Sequence, residues 1–472
     1  MELTKSLYTT GLDNAREMWF DAHDPSHPDS EVRWRMKQGQ EVGEEARRRF
    51  PDGEFVGGPP TRDQLQSGRP LFEATFSANG RKVRTDILVP ESTGWRVREV
   101  KGSTMSRSDA LEDAKHDLAF QVHVLESCGL DIERAEIAYL NGDCLYPCGD
   151  DLFQTTSLGS DREEFLRTVQ TTAPRLHGVL QQDRPPDKRL SRQCNTCSCS
   201  EPCSDLPEQS IFTLPDLHWR HMDDLLDEGR ATLEEVDGHS HLKPRHERYI
   251  EAVRAQQSWI DSDAVRDHLE DLAYPLCFLD FEAASYAVPR FDRTTPWDRI
   301  PFQYSLHILT GDGDLAHSAY LHRADDDPRP ALLEHLLSDL PNHGSVVVYN
   351  APFERRILEK LQEAFPAVGT ELQSIIDRLW DQAEIFKNWH YMHPAQKGSW
   401  SLKKVLPVFD QDLAYDDLEV QSGMDAVIQF DAMIHAESQQ QRDALYHDLR
   451  AYCKRDTLAT VQIHRKLCQL VG

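Results

Sequence analysis

The stretch YPLCFLDFEAASY, residues 274–286, restricts the fold more than any other part of the chain. Its apolar run suits a buried strand and is too short to cross a bilayer. Two carboxylates, Asp280 and Glu282, interrupt it. Residues two apart project from the same face of a strand, so both acids share one face. Burying two like charges side by side is unfavourable unless a cation neutralises them. The expectation is a central strand, apolar on one face and suited to a divalent metal on the other.

The chain of 472 residues is too long for one core, which predicts two or three domains. Hydrophobic residues make up 39% and aromatic residues 8%, enough to fill globular cores. No apolar run reaches bilayer length, and MELTKSLYTTGLDNARE lacks an apolar signal core. A soluble, cytoplasmic protein without membrane partners is expected. Its ten cysteines then read as thiols or metal ligands rather than disulfides. The formal charge of −28 repels phosphates over most of the surface. Only 14 of the 52 basic residues are Lys, as suits either a high-salt protein or a GC-rich genome. A local Arg-lined groove remains compatible with nucleic acid, because salt screens the rest.

Composition divides the chain into three. Residues 1–205 mix helices and strands and end in the Pro-, Ser- and Cys-rich boundary RPPDKRLSRQCNTCSCSEPCSDLPE. Residues 206–272 read as an acidic helical connector, with a Gly between two short helices in WRHMDDLLDEGRATLEEV and a basic patch in KPRHER. Residues 273–472 are mixed again. The predicted fold class is a multidomain α/β protein.

In the first region, residues 71–78 and 82–89 alternate around Asn79-Gly80, a hairpin signal. A second turn near Glu91 to Gly94 precedes the strand WRVREVK. Glu99 and Lys101 project from one face of that strand, and Asp86 lies on its neighbour. Two carboxylates and an ammonium so placed can bind a divalent ion and hold an attacking water. A helix bearing Gln121 and the strand RAEIAYLN follow. The order Asp, hairpin, Glu-x-Lys, Gln resembles the PD-(D/E)XK nuclease core, and in detail its Cas4/RecB-like branch. The resemblance gives Asp86 and Glu99 to one or more Mg²⁺ or Mn²⁺ ions, and makes Lys101 and Gln121 catalytic. Cas4-like enzymes usually add a His from the first helix. RMKQGQEVGEEARRRF has none, and Glu44 or Glu45 is either its substitute or a solvated carboxylate.

QCNTCSCSEPC places Cys194, Cys197, Cys199 and Cys203 within ten residues, a plausible tetrahedral zinc or iron–sulfur set. Cys194, Cys197 and Cys203 resemble the three C-terminal cysteines that hold a 4Fe-4S cluster in Cas4-like nucleases. The fourth ligand of those proteins precedes the nuclease core, whereas the first Cys here is Cys128. The remaining cysteines read as packing.

In the third region, the strands FQYSLHIL and AHSAYLHR and a helix near 329–340 follow the acidic strand. GSVVVYNAPFERRILEKL then reads as a buried strand entering a helix, and AYCKRDTLAT puts Tyr452 and Asp456 on one helical face. Asp-x-Glu, Asn350-x3-Glu354 and Tyr452-x3-Asp456 in this order resemble the RNase H-like DnaQ exonucleases of the DEDD superfamily, Tyr type. That family carries Asp where Glu354 stands. Asp377, Asp381 and Asp425 are nearby alternatives. The resemblance implies that Asp280, Glu282, Glu354 and Asp456 bracket two Mg²⁺ or Mn²⁺ ions about 4 Å apart, with Tyr452 orienting the water. It also puts Asn350, and Ser401 and Lys403 of GSWSLKKVLP, near the nucleic-acid backbone. Residues 274–472 are further similar to the uncharacterised-domain group DUF2779, which pairs this fold with a Cas4-like half. The combined expectation is a two-site nuclease acting on DNA more readily than RNA, in repair or anti-phage and CRISPR-related processing. The alternatives are a nucleic-acid-binding scaffold with decayed sites and an iron–sulfur redox sensor.

Overall fold

Asn79 and Gly80 both take positive φ, 52° and 73°, in the computed structural model. That is the backbone a two-residue hairpin needs to match the twist of its strands. The structure describes residues 1–25, 29–191, 194, 197, 206–207, 209–413, 415 and 418–472. They fall into two compact units, the first comprising Met1–Arg189 with Tyr286–Asp298 and the second chiefly Asp205–Ser285 with Arg299–Gly472.

The first unit is a mixed sheet with helices on both faces. Its strands run in the order Glu54–Phe55, Leu71–Ala78, Arg81–Pro90, Trp95–Lys101, Ile132–Leu140, Phe153–Ser157. The pair Trp95–Lys101 and Ile132–Leu140 is parallel, because the helix Ser108–Ser127 carries the chain back across the sheet. That helix packs Leu118, Phe120 and Val122 against Leu71, Leu88 and Val97. Tyr8 stacks on Phe120 with ring centres 4.6 Å apart, which pins the N-terminal helix Lys5–Asp13 to the same core. Phe72, Ile87 and Val89 face the other way and pack on Ala46 of the helix Ser30–Arg47. The late segment Tyr286–Asp298 completes this unit. Ala287 donates its backbone N–H to Gln38 at 2.7 Å, and Trp297 Nε1 donates to the Gly102 carbonyl at 2.6 Å.

Cys144 and Cys148 form a disulfide, which corrects the expectation that all ten cysteines are thiols or metal ligands. Their Cα atoms are 5.6 Å apart, within the reach of an S–S bond. Cys194 and Cys197, the two cluster cysteines among the described residues, are partly buried. Cys194 Sγ accepts from the Ser191 N–H, while Cys197 Sγ accepts from Asn14 Nδ2. Cys199 and Cys203 lie outside the described residues.

In the second unit a five-stranded sheet has the order Leu315–Leu321, Arg299–Leu309, Leu276–Ser285, Ser345–Val348, Leu379–Asp381. The acidic strand is central, antiparallel to Arg299–Leu309 and parallel to Ser345–Val348. Its odd residues Cys277, Leu279 and Phe281 pack on Leu332, Leu336, Ile357 and Leu361 of two helices. Its even residues Leu276 and Phe278 meet Val461 of the 33-residue C-terminal helix Gln439–Val471. The alternation thus aims Asp280 and Glu282 at that helix. Residues 211–255 form a smaller helical module around Leu225, Leu233, Val236 and Ile250. Among the described residues no helix is long and apolar enough to cross a membrane.

Two buried histidines, one on the sheet and one on the C-terminal helix, add a pH-dependent contribution. His307 and His464 are buried, and burial pushes both imidazoles down to about 4. Between their ordinary value of 6.5 and about 4 the unfolded chain takes up protons that the folded unit refuses. The histidine contribution to stability therefore falls as pH drops through this window, opposite in sign to that of the raised carboxyls of Asp280, Glu282 and Glu354. His464→Gln is expected to gain in thermal midpoint relative to wild type between pH 7 and pH 5, because it lacks one group that the unfolded chain protonates first. Parallel pH profiles for variant and wild type would remove His464 as a cause.

Candidate functional site

The even face of the acidic strand, the start of one helix and the middle of the C-terminal helix converge on one buried cluster. Glu282, Glu354 and Asp456 are buried, and Asp280 is partly so. Glu354 arrives because the strand Ser345–Val348 turns at Asn350, where φ is +76°, into the helix Pro352–Ala364. Pro352 suits the first helical position, where no N–H bond is lost. Glu354 Oε2 is buried with no hydrogen-bond partner. Tyr452 and Asp456 lie one turn apart on the buried stripe of the C-terminal helix.

The cluster is electrostatically unbalanced. Burial, then the mutual repulsion of the acids, pushes Asp280, Glu282 and Glu354 well above the usual carboxylate range. Burial also raises Asp456, to about 6, against hydrogen bonds from Tyr415 and Tyr452 and the Lys403 charge. Both phenols are themselves raised by burial and then by Asp456, so they remain neutral donors. Desolvated groups with strongly shifted protonation concentrate at functional sites.

Several contributors were not read from the sequence. Asp280, Glu282 and Cys453 each place one ligand atom within 4.8 Å of the others, the one such group among the described residues. Cys453 Sγ lies 3.5 Å from Asp280 Oδ2 although 173 residues separate them. Tyr415 donates to Asp456 Oδ1. Gly423 begins the helix Gly423–Ile434, and a Cβ there would come within 3.5 Å of Glu282 Oε2. Neighbours of Tyr452 and Glu282 in space, these residues carry no local signal. The alternatives fare differently. Asp381 accepts from the N–H groups of Asn350 and Ala383 and from Lys387 Nζ, so it braces the turn. Asp377 accepts from Gln373, and Asp425 bonds Ser422. Asn350 Oδ1 accepts from Lys387 at 3.1 Å. Lys403 lies over the Tyr415 ring, and Ser401 precedes the helix Leu402–Phe409.

The first unit brings Asp86, Glu99, Lys101 and Gln121 together and adds two groups. Glu99 Oε1 accepts from Lys101 Nζ at 2.9 Å and from Lys5 Nζ at 2.7 Å; its Oε2 accepts from Gln121 at 2.7 Å. Asp117 pairs with Lys101 and accepts from Gln121 at 3.2 Å. Asp86 Oδ2 accepts the Val100 N–H at 2.7 Å where the two strands part. Burial works to raise Glu99, but the Lys5 and Lys101 charges outweigh it and hold Glu99 below the usual range. Burial and the Glu99 charge push Asp86 up. Three carboxylates face two ammoniums, so this cluster is nearly balanced without any ion. Asp117 was detectable in principle, four residues before Gln121 on one helical face. Lys5, 94 residues from Glu99, was not. Glu44 lines a cleft of about 560 Å³ with Asp86, whereas Glu45 pairs with Arg48.

Residues 277–401 match the family described as "Domain of unknown function (DUF2779)". The chain is 28% identical over 207 residues to the "Uncharacterized protein MG366 homolog" of Mycoplasma pneumoniae, covering 39% of this chain and 31% of that protein. It is 25% identical over 222 residues to the "Uncharacterized protein UU173" of Ureaplasma parvum serovar 3, covering 41% of this chain and 31% of that protein. The match thus spans about a third of the length of each of these relatives.

Proposed function

We propose that the second unit is a metal-dependent 3′–5′ exonuclease site of the DnaQ-like, Tyr-type DEDD kind, acting on DNA in preference to RNA. The observation that carries this reading is the convergence of Asp280, Glu282, Glu354 and Asp456 with Tyr452 in one buried cluster. The elements that carry the motifs support the reading: a central strand, a later helix and the last helix.

The donor set fits a pair of Mg²⁺ or Mn²⁺ ions. It consists of hard carboxylate oxygens, they repel one another, and Glu354 Oε2 has no partner. Such ions, when bound, supply Lewis-acid charge and an activated water. Asp280, Glu282, Glu354 and Asp456 would hold them. Tyr452 keeps its proton and hydrogen-bonds Asp456, so it can also orient a water without taking part as a base. Lys403 is exposed and lowers the Glu282 and Asp456 carboxyls, which suits it to meet a phosphate at the same place. Exposed Trp400, beside Ser401, offers a stacking face for a base.

The strand and motif order of the first unit supports a PD-(D/E)XK-like reading. We assign no metal-dependent step there, because the oxygens of Glu99 are engaged by Lys5, Lys101 and Gln121. That arrangement favours the scaffold reading for this half alone, a surface that positions nucleic acid.

The test is release of a 3′ label from single-stranded DNA in Mn²⁺. Wild type and Lys101→Ala should both release it, and Tyr452→Phe should be slower by roughly 10²-fold, the scale of a lost proton-handling or water-orienting group. Wild type that leaves the label in place would sink the proposal. Release that survives Tyr452→Phe but vanishes in Lys101→Ala would move the chemistry to the first unit.

A further inference from the structure

The helical module of the second unit gathers imidazoles that the exonuclease reading does not use. His218 and His221 lie at the start of the helix Trp219–Asp227, and His239 and His241 lie in the loop after the short helix Leu233–Val236. Their rings form a row. His218 and His221 are 5.7 Å apart, His221 and His241 4.4 Å with planes only 1° apart, and His239 and His241 4.8 Å. Two carboxylates adjoin it: Asp224 lies 3.3 Å from His241 Nε2, and Glu228 lies 3.3 Å from His239 Nε2. His221, Asp224 and Glu228 follow the i, i+3, i+7 spacing of one helical face.

We propose that this module binds one divalent d-block cation of the zinc class through His221, His241 and Asp224, completed by His218 or His239. The hydrogen bonds separate the four rings into two kinds. His218 Nδ1 accepts from the Arg220 N–H, and His239 Nδ1 accepts from the His241 N–H, each at 3.2 Å. In the neutral ring these two carry their proton on Nε2, and ligation there requires giving up the backbone bond. His221 and His241 bond no backbone group among the described residues; His241 Nε2 faces Asp224, which leaves its Nδ1 as the open nitrogen in the neutral ring. Their stacked, parallel rings would repel if both were protonated, whereas neutral rings are good ligands.

The rings stand in a row rather than around a centre. Zinc would draw its nitrogens to about 2.0–2.1 Å. The four imidazoles are exposed or partly so, and a turn about the terminal side-chain torsion loses little packing. Imidazole with carboxylate suits Zn²⁺, Ni²⁺ or Cu²⁺ over Mg²⁺ or Ca²⁺, which prefer oxygen alone. The bound ion would tie the helix Trp219–Asp227 to the loop 239–241, closing the module over Leu225, Leu233 and Val236.

The experiment is a Zn²⁺ titration of the full chain against a chromogenic chelator, in saturating Mg²⁺. Wild type should bind one more equivalent than the double variant His221→Ala/His241→Ala, and Zn²⁺ should raise the thermal midpoint of wild type further than that of the variant. The cysteines and the carboxylate cluster are identical in both proteins, so their zinc cancels. Equal stoichiometry in the two proteins overturns the proposal. Should the double variant not fold, the exposed Asp224→Asn carries the test. It should weaken the extra site at least about tenfold, which is about 1.4 kcal/mol, and unchanged affinity overturns the proposal.

Discussion

Asp280→Asn is expected to abolish Mn²⁺-dependent release of a 3′ label and, in the absence of metal, to make the second unit more stable than wild type. Both effects have one cause. Asp280 stands among Glu282, Glu354 and Asp456, and burial and repulsion raise its carboxyl well above the usual range. Removing a desolvated like charge relieves repulsion that the fold otherwise carries. A relief of roughly 1 kcal/mol would raise the midpoint of a unit of this size by about 2–4 °C. The isosteric amide preserves packing, so the gain is not offset by a cavity. On the proposed reading the cluster would lose a charge that its ions need. A loss of several kcal/mol in transition-state stabilisation corresponds to about 10³-fold in rate. Differential scanning calorimetry with and without Mn²⁺ reads both halves. Wild type should gain stability with Mn²⁺ and the variant should not. A variant less stable than wild type without metal would show that Asp280 is a structural partner. Unimpaired label release would remove it from the site.

Lys5→Ala should destabilise the first unit by about 3 kcal/mol, the scale of breaking one partner out of a buried ion pair. Lys5 Nζ is 2.7 Å from Glu99 Oε1 and 3.9 Å from Asp117 Oδ2, and Glu99 is only 2% exposed. Without Lys5 three carboxylates face Lys101 alone. Divalent cations should then substitute for the missing ammonium. Mg²⁺ or Mn²⁺ at millimolar concentration is expected to restore part of the lost stability in the variant and to leave this unit of wild type unchanged. A calorimetric scan that resolves the two units decides it. Equal metal response in both proteins would mean that Lys5 does not take the place of an ion. A variant as stable as wild type would mean that the pair contributes no net energy, as exposed pairs often do not.

Local pattern reached far into this protein. The Asn79-Gly80 turn, the strand WRVREVK and the strand-to-helix passage at GSVVVYNAPFERRILEKL occupy the predicted positions, because each depends on neighbours within a few residues. Asp280 with Glu282, and Tyr452 with Asp456, were legible for the same reason. A period of two fixes a strand face and a spacing of four fixes a helix face. The disulfide between Cys144 and Cys148 was missed: the expectation came from the presumed compartment, whereas the bond depends on how the loop brings the two Cα atoms together.

Contacts between distant segments have no local period and stayed hidden. Nothing in MELTKSLY signals that Lys5 meets Glu99, or that Tyr415 and Gly423 approach Asp456 and Glu282. The packing of Tyr286–Asp298 with the first unit is equally silent, since it rests on Gln38 and Gly102, about 200 residues or more away. The sequence by itself determined which carboxylates share a face, because backbone geometry repeats every two or 3.6 residues whatever the rest of the chain does. The tertiary structure alone decided which of those faces are balanced by lysine and which stay unbalanced. That outcome depends on desolvation and on charges within a few ångström, and only the folded chain sets those distances.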